Sequence, residues 1–161
     1  MRRLSLSPLS LVPAAVLAGL MLAGCSMGGI ATAPGALSPG LSARMDQPNA
    51  SLDRAQAIDL VNAYRAASGV APLAHDSALD GSAQALANQY AQTGNPPSTP
   101  QGLKVMKLSA GYATFAETFS GWRNNSADAA GLRASAAKAG VGVAFNPGSA
   151  YGIHWVLILA D

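Results

Sequence analysis

The sequence predicts an α+β fold, in which a small antiparallel sheet lies between helical layers in a three-layer α/β/α sandwich. Two observations support this prediction. Apolar residues recur at helical spacing from about residue 51, and the period changes to two over the last twenty residues. Residues 153–159 are apolar almost without interruption, so a strand there must be covered on both faces.

Local signals predict the first two helices in order. Ser51 is a plausible N-cap for a first helix that ends at Gly69. Residues 70–73 form an extended link because the residue before a proline avoids the α region. Asp76 or Ser77 can cap a second helix that stops at Gly94. Residues 95–100, rich in proline, predict a loop, and residues 104–108 are too short and ambiguous to assign.

The second half of the domain is predicted to hold two more helices and a hairpin. Thr114 can cap a third helix, and the alanine-rich residues 127–139 predict a fourth. Large apolar residues then alternate with Gly142 and Ala144 over residues 141–145, and a turn at 146–148 leads into the strand at 153–159.

Composition excludes several classes of protein. Half of the 161 residues are hydrophobic and 11% are charged, which excludes a highly charged disordered chain. Ten Lys and Arg face eight Asp and Glu, and without Arg2 and Arg3 the two counts are equal. We therefore expect no nucleic-acid partner, because such binding needs a basic face. A single cysteine excludes an intramolecular disulfide and a cysteine-rich metal site built from this chain alone.

The N-terminus is typical of a secretory signal. Arg2 and Arg3 precede an apolar stretch at 9–24, and the string Leu22-Ala23-Gly24-Cys25 resembles a bacterial lipobox. The resemblance implies cleavage of residues 1–24, diacylation of the Cys25 thiol and acylation of its new amino group. In an inner-membrane retention signal, Asp usually follows the lipidated cysteine. Ser26 stands at that position here, which favours the outer membrane, facing the periplasm. An uncleaved signal anchor or a buried cysteine is the alternative.

The mature chain is expected to consist of a tether and one domain. Residues 25–50 are built from Gly, Ala, Pro and Ser, contain no aromatic residue and predict a flexible tether. Every Phe, Tyr and Trp lies between Tyr64 and Trp155, which places the hydrophobic core within residues 51–161.

Four stretches in this domain resemble the CAP superfamily, also called the SCP or PR-1-like domain. They are Leu60 to Arg65 with Gly69 and Pro72-Leu73, Asp76 to Leu79, Phe115 to Trp122 with Ser126, and Gly140 to Ala144 followed by Tyr151 to Trp155. Their order and spacing cover nearly all of residues 51–161, so the resemblance implies the CAP fold for that part of the chain.

The same resemblance implies a cleft lined by two His and two Glu, most of which this chain lacks. Met106 stands where the family often has an acid, and the His position falls on Asp128 or Ala129. Glu117 and His154 remain as candidate cleft residues. Each also has a structural interpretation, in which Glu117 favours a helix start and His154 is a buried, hydrogen-bonded imidazole.

His154 shares its strand face with Val156 and Ile158. Arg65 is expected to form an ion pair or to contact carbonyl groups, and His75 to cap a helix at the surface.

These residues favour a membrane-anchored, non-catalytic binding or envelope-associated module, with the membrane reached through lipidated Cys25. No catalytic residue, metal or cofactor is predicted. A lipid or small apolar ligand is one hypothesis for its partner, and no protein partner can be named. The alternatives are a metal-dependent hydrolase using Glu117, His154 and a further ligand such as Asp128, and a purely structural envelope lipoprotein.

Overall fold

The structure is a computed structural model that describes residues 37–161. It contains five helices and four strands in this part of the chain. They are α1 (Pro39–Ser42), α2 (Arg54–Ala67), β1 (Ala74–His75), α3 (Ser77–Thr93), β2 (Val105–Ala110), α4 (Phe115–Asn124), α5 (Ser126–Leu132), β3 (Lys138–Phe145) and β4 (Ile153–Ala160). No helix among the described residues is both long and apolar enough to cross a membrane.

Side-chain caps fix where the long helices begin. The carboxylate of Asp53 accepts a hydrogen bond from the Gln56 backbone N–H at 3.0 Å, so Asp53 caps α2 and the predicted cap at Ser51 is wrong. Asp76 caps α3, which ends as predicted at Gly94, a residue with a φ of 68°. Thr114 caps α4 as predicted.

The sequence predicted one helix over the alanine-rich residues 127–139, and this prediction is wrong. Helix α5 ends at Leu132, and strand β3 begins at Lys138. The reason lies in Gly140 and Gly142, where an added Cβ would overlap the α3 backbone at Leu79 and at Ala83. The fit of β3 under α3 and its pairing with β4 outweigh the helix propensity of the alanines.

The sheet is mixed, whereas an antiparallel sheet was predicted. Its strand order is β1-β3-β4-β2. The pairs β3–β4 and β4–β2 are antiparallel as expected, but β1 pairs in parallel with β3, with Ala74 opposite Lys138. Strand β1 is two residues long, and the ambiguous residues at 104–108 form most of β2.

Helices cover both faces of this sheet, as the apolar run in β4 predicted. Side chains alternate along β4, so that Trp155 and Leu157 enter the larger core with α2, α4 and α5, while Val156 and Ile158 pack under α3. The fold class is therefore the predicted α+β sandwich.

The folded domain begins before residue 51. Leu41 and Met45 are buried in the larger core, and the Met45 backbone N–H donates to the Ala113 carbonyl at 2.9 Å. The expectation of a tether through residue 50 is thus wrong for the segment that contains Leu41 and Met45, because these two side chains bury apolar surface that the low aromatic content did not reveal. Residues 1–36, which include the predicted signal at 1–24 and Cys25, lie outside the described residues.

Candidate functional site

Glu117 is engaged at the start of α4. Its carboxylate accepts hydrogen bonds from the Thr114 backbone N–H and hydroxyl, both at 3.0 Å, and its own N–H donates to the Thr114 hydroxyl oxygen at 3.2 Å. This reciprocal pair is a capping box. The carboxylate also lies in the field that favours negative charge at a helix N-terminus. The structure therefore gives Glu117 the structural role that its position in the sequence suggested.

His154 is fully buried in β4, on the side of the sheet that α3 covers. Its ring lies 4.6 Å from the ring of Tyr90 on α3, centroid to centroid, at an interplanar angle of 69°. The ring is buried as expected, but neither ring nitrogen makes a hydrogen bond of ordinary geometry among residues 37–161, and the nearby Gly152 backbone offsets only part of the effect of burial. Burial lowers the pKa of His154 below its ordinary value, which keeps the ring neutral at pH 7.

The structure does not bring Glu117 and His154 together. Helix α4 enters the larger core through Phe115, Phe119 and Trp122, on the face of the sheet opposite to α3. His154 points to the other face, as the predicted alternation with Val156 requires. Within residues 37–161 no three His, Cys, Asp or Glu side chains are grouped so that they could hold a metal ion.

Asp128 forms an ion pair that the sequence did not reveal. Its carboxylate lies 2.6 Å from the ammonium of Lys107, and the two side chains retain 30% and 13% of their exposure. The pair ties α5 to β2, and Gly131 leaves room for it, since a Cβ there would lie 3.0 Å from Cδ of Lys107. Met106 points to the other face and packs against the smaller core under α3. The position at which the resemblance implies an acid thus holds the apolar side chain of Met106, and the position at which it implies a histidine holds Asp128 of the ion pair.

Arg65 is a structural residue. Its buried guanidinium donates to the carbonyls of Ala71, Leu132 and Ala134 at 2.8 to 2.9 Å, which confirms the expected carbonyl contacts. Burial lowers its pKa, yet the group remains charged because the ordinary value is so high.

His75 does not cap the helix, since Asp76 does so. The His75 Nε2 lies 2.6 Å from a carboxylate oxygen of Asp80, whose other oxygen accepts the Val141 N–H at 2.9 Å.

Two open grooves were missed by the sequence analysis. The first encloses about 460 Å³ between the turn after β2 and helix α4, and is lined by Tyr112, Glu117, Ser120, Gly121, Asn124 and Asn125. The indole N–H of Trp155 fixes this turn by donating to the Tyr112 carbonyl at 2.9 Å. A Cβ on Gly121 would lie 3.0 Å from the Tyr112 ring, so the ring rests directly on the helix backbone.

The second groove lies on the α3 side of the sheet. It encloses about 230 Å³ and is lined by Asn88, Ala91, Gln92, Ala144, Phe145, Asn146 and Pro147. The side-chain amide of Asn146 donates to the Ala91 carbonyl at 2.8 Å, which joins the hairpin turn to α3. The sequence predicted only the turn at 146–148 on one side of this groove. The other side comes from α3, which is distant in the sequence, so no local pattern indicated the groove.

Comparison with known proteins identifies the domain. Residues 58–159 match the family model described as CAP, the cysteine-rich secretory protein family. The crystal structure of MpPR-1i is similar, at 22% identity and a TM-score of 0.52, over 65% of this chain and 82% of that one. No curated protein matches the chain.

Two further solved structures share the fold. An extracellular protein containing an SCP domain from Bacillus anthracis str. Ames is 15% identical, with a TM-score of 0.54, over 67% of this chain and 40% of that one. An outer surface protein from Borrelia burgdorferi is 14% identical, with a TM-score of 0.53, over 65% and 88%. The match to the family model spans well over half of the sequence, and the chain therefore belongs to the CAP, or cysteine-rich secretory protein, family.

Proposed function

We propose that this protein is a non-catalytic CAP-domain binding module of the bacterial cell envelope, held at a membrane by lipidated Cys25. The separation of Glu117 from His154 by the sheet carries the non-catalytic part of the proposal. Hydrolysis needs a nucleophile, a base and a group that stabilises negative charge around one reacting atom. The carboxylate of Glu117 is occupied by Thr114, and the ring of His154 is buried against Tyr90.

The Lys107–Asp128 pair supports the same conclusion. Each charge neutralises the other at 2.6 Å, and both are partly shielded from water. The Asp128 carboxylate is thus engaged by Lys107 and is not free to act on a substrate. The pair therefore acts as a brace between β2 and α5, and it occupies Asp128, where the family resemblance implies a histidine.

The anchoring part rests on the N-terminal sequence. Arg2 and Arg3, the apolar stretch at 9–24 and Cys25 are the three parts of a lipoprotein signal. Several acyl chains on one residue suffice for stable membrane attachment. An envelope location is compatible with two of the similar structures, one of an extracellular protein and the other of an outer surface protein. We propose the outer membrane, facing the periplasm, on the ground of Ser26.

The walls of the two grooves bear on the kind of ligand. The sequence suggested a lipid or another apolar ligand, but the larger groove mixes apolar surface with the hydroxyl, amide and carboxylate groups of its lining residues. An apolar ligand there would bury those polar groups that lack a partner within the protein, at a free-energy cost of about 1–3 kcal/mol each. We therefore propose a ligand with polar groups of its own.

Membrane fractionation tests the anchoring. The full-length protein should sediment with membranes and carry acyl chains on Cys25 by mass spectrometry of the N-terminal peptide, whereas the Cys25→Ala variant should be released into the soluble fraction. Release of both proteins, or an unmodified Cys25 in the membrane fraction, would overturn this part of the proposal.

Activity assays test the absence of catalysis. Hydrolysis of a p-nitrophenyl ester, with and without added zinc, should not differ between the wild type and the variants Glu117→Gln and His154→Leu. An activity that both substitutions abolish would restore the metal-dependent hydrolase.

A further inference from the structure

Exposed aromatic side chains gather at one end of the sheet. Four large hydrophobic side chains are prominently exposed in residues 37–161, and three of them are aromatic. These are Tyr112, Phe145 and Tyr151, with 44%, 47% and 60% of their surface exposed. Such exposure of large aromatic rings in one region is a mark of a binding surface.

The strand register places these three residues together. Phe145 ends β3 opposite Ile153, the first residue of β4, and Tyr151 lies two residues before it. The Gly111 backbone N–H donates to the Ile153 carbonyl at 2.9 Å, so Tyr112 follows at the same end of the sheet. A Cβ on Gly111 would lie 3.9 Å from Cδ1 of Tyr151, which places the Tyr151 ring beside the Tyr112 turn. We call this region the aromatic end: Tyr112, Phe145 and Tyr151.

Both grooves described above open beside the aromatic end. The groove next to α4 has Tyr112 with the hydroxyl of Ser120 and the amides of Asn124 and Asn125. The groove next to α3 has Phe145 with amide side chains from its lining. The two grooves therefore share an exposed aromatic ring beside side-chain amides, of which the Asn125 oxygen already caps α5 and the Asn146 amide already bonds Ala91 and Gly148.

Charge is nearly absent from the walls of these grooves. Glu117 is the one charged side chain among the lining residues, and Thr114 holds its carboxylate in the capping box. No Lys or Arg lines either groove, which disfavours an anionic ligand. Both grooves mix apolar surface with polar groups, which suits a ligand that presents both kinds of surface.

From these observations we infer that the aromatic end binds an uncharged oligosaccharide, with a sugar ring against Tyr112 in the larger groove. A pyranose ring has an apolar face of C–H groups and a rim of hydroxyls. The face can pack on an aromatic ring, and the hydroxyls can exchange hydrogen bonds with side-chain amides. This inference rests on the proposed function as a binding module and adds the class of its ligand.

Saturation-transfer NMR on the full-length protein in detergent tests the inference. The probes are two uncharged tetramers, one of β-1,4-linked N-acetylglucosamine and one of α-1,4-linked glucose. Saturation should reach the ring C–H protons of at least one tetramer. The Tyr112→Ala variant should bind that tetramer about five- to tenfold more weakly, the range expected for losing one aromatic contact.

Two further variants separate the binding surface from general damage to the fold. Gly121→Ala keeps the Tyr112 ring but crowds it at 3.0 Å, and should also weaken binding. Lys104→Ala removes an exposed residue paired with Asp161 at the opposite end of the sheet, and should bind like the wild type. Raising the salt concentration about tenfold should leave the affinity unchanged, since an uncharged ligand is not screened.

Absence of saturation transfer with both tetramers would overturn the inference, and so would equal binding by the wild type and Tyr112→Ala. Neither result would affect the anchoring proposal, which depends on the release of Cys25→Ala from membranes. Conversely, a chain that binds a tetramer but carries no acyl group would overturn the anchoring alone.

Discussion

Replacing His154 by leucine should stabilise the domain. The imidazole is fully buried, and its two nitrogens have no hydrogen-bond partner among the described residues. A buried polar group without a partner costs about 1–3 kcal/mol, and leucine removes that cost with a side chain of similar size. After allowing about 1 kcal/mol for the different shape beside Tyr90, we expect a net gain of up to about 2 kcal/mol at pH 7.

The stability difference between His154→Leu and the wild type should increase as the pH falls. Because burial lowers the pKa of His154 in the folded state, the unfolded chain binds more protons than the folded one between that pKa and the ordinary value of about 6.5. Wild-type stability is therefore complete above about pH 6.5 and decreases as the pH falls through the folded pKa. The leucine variant lacks this loss, so the difference between the two proteins isolates His154 from all shared titrations.

Urea unfolding at pH 7 and pH 5 measures both effects. At pH 7 the midpoint of His154→Leu should lie up to about 1 M above that of the wild type, with an unchanged slope. His75→Gln is the matched control, since His75 is the other histidine and lies partly exposed beside Asp80. The reasoning is refuted if His154→Leu is less stable than the wild type, or if the difference between them is the same at both pH values.

Three further substitutions test the packing. In thermal unfolding, Gly142→Ala should destabilise the domain by more than about 2 kcal/mol, because the new Cβ would overlap the α3 backbone at Ala83. The control Gly81→Ala, on the open side of α3, should be neutral or stabilising in that assay. Arg65→Ala should cost about 3–5 kcal/mol in urea unfolding, since three carbonyls lose their donor, and a loss below about 1 kcal/mol would contradict the contacts. Met45→Ala should cost about 2–4 kcal/mol by the same measurement, and no change would mean that the segment before residue 51 does not contribute to the core.

Local chemistry made the long helices predictable from the sequence. Asp76, Gly94 and Thr114 act within a few residues of themselves, so their patterns contain the information needed to start or end a helix. The face that His154 shares with Val156 also follows from strand alternation alone.

Contacts between distant segments account for what could not be predicted. Strand β1 has two residues and exists through its pairing with β3, more than sixty residues later. The alanines at 127–139 favour a helix locally, and the close approach of α3 to Gly140 decides otherwise. In the candidate site, Lys107 meets Asp128 because α5 folds over β2, which no local pattern indicates.

The separation of Glu117 and His154 is the claim on which the non-catalytic account depends. An NMR titration of the full-length protein with zinc, observing the His154 ring and the Glu117 side chain, tests it most directly. We predict that neither group responds at equimolar zinc and that the His154 ring stays neutral down to below about pH 6.5. Coordinated shifts of both side chains at equimolar zinc would contradict the account, because they require the two groups to share one ion within a single cavity.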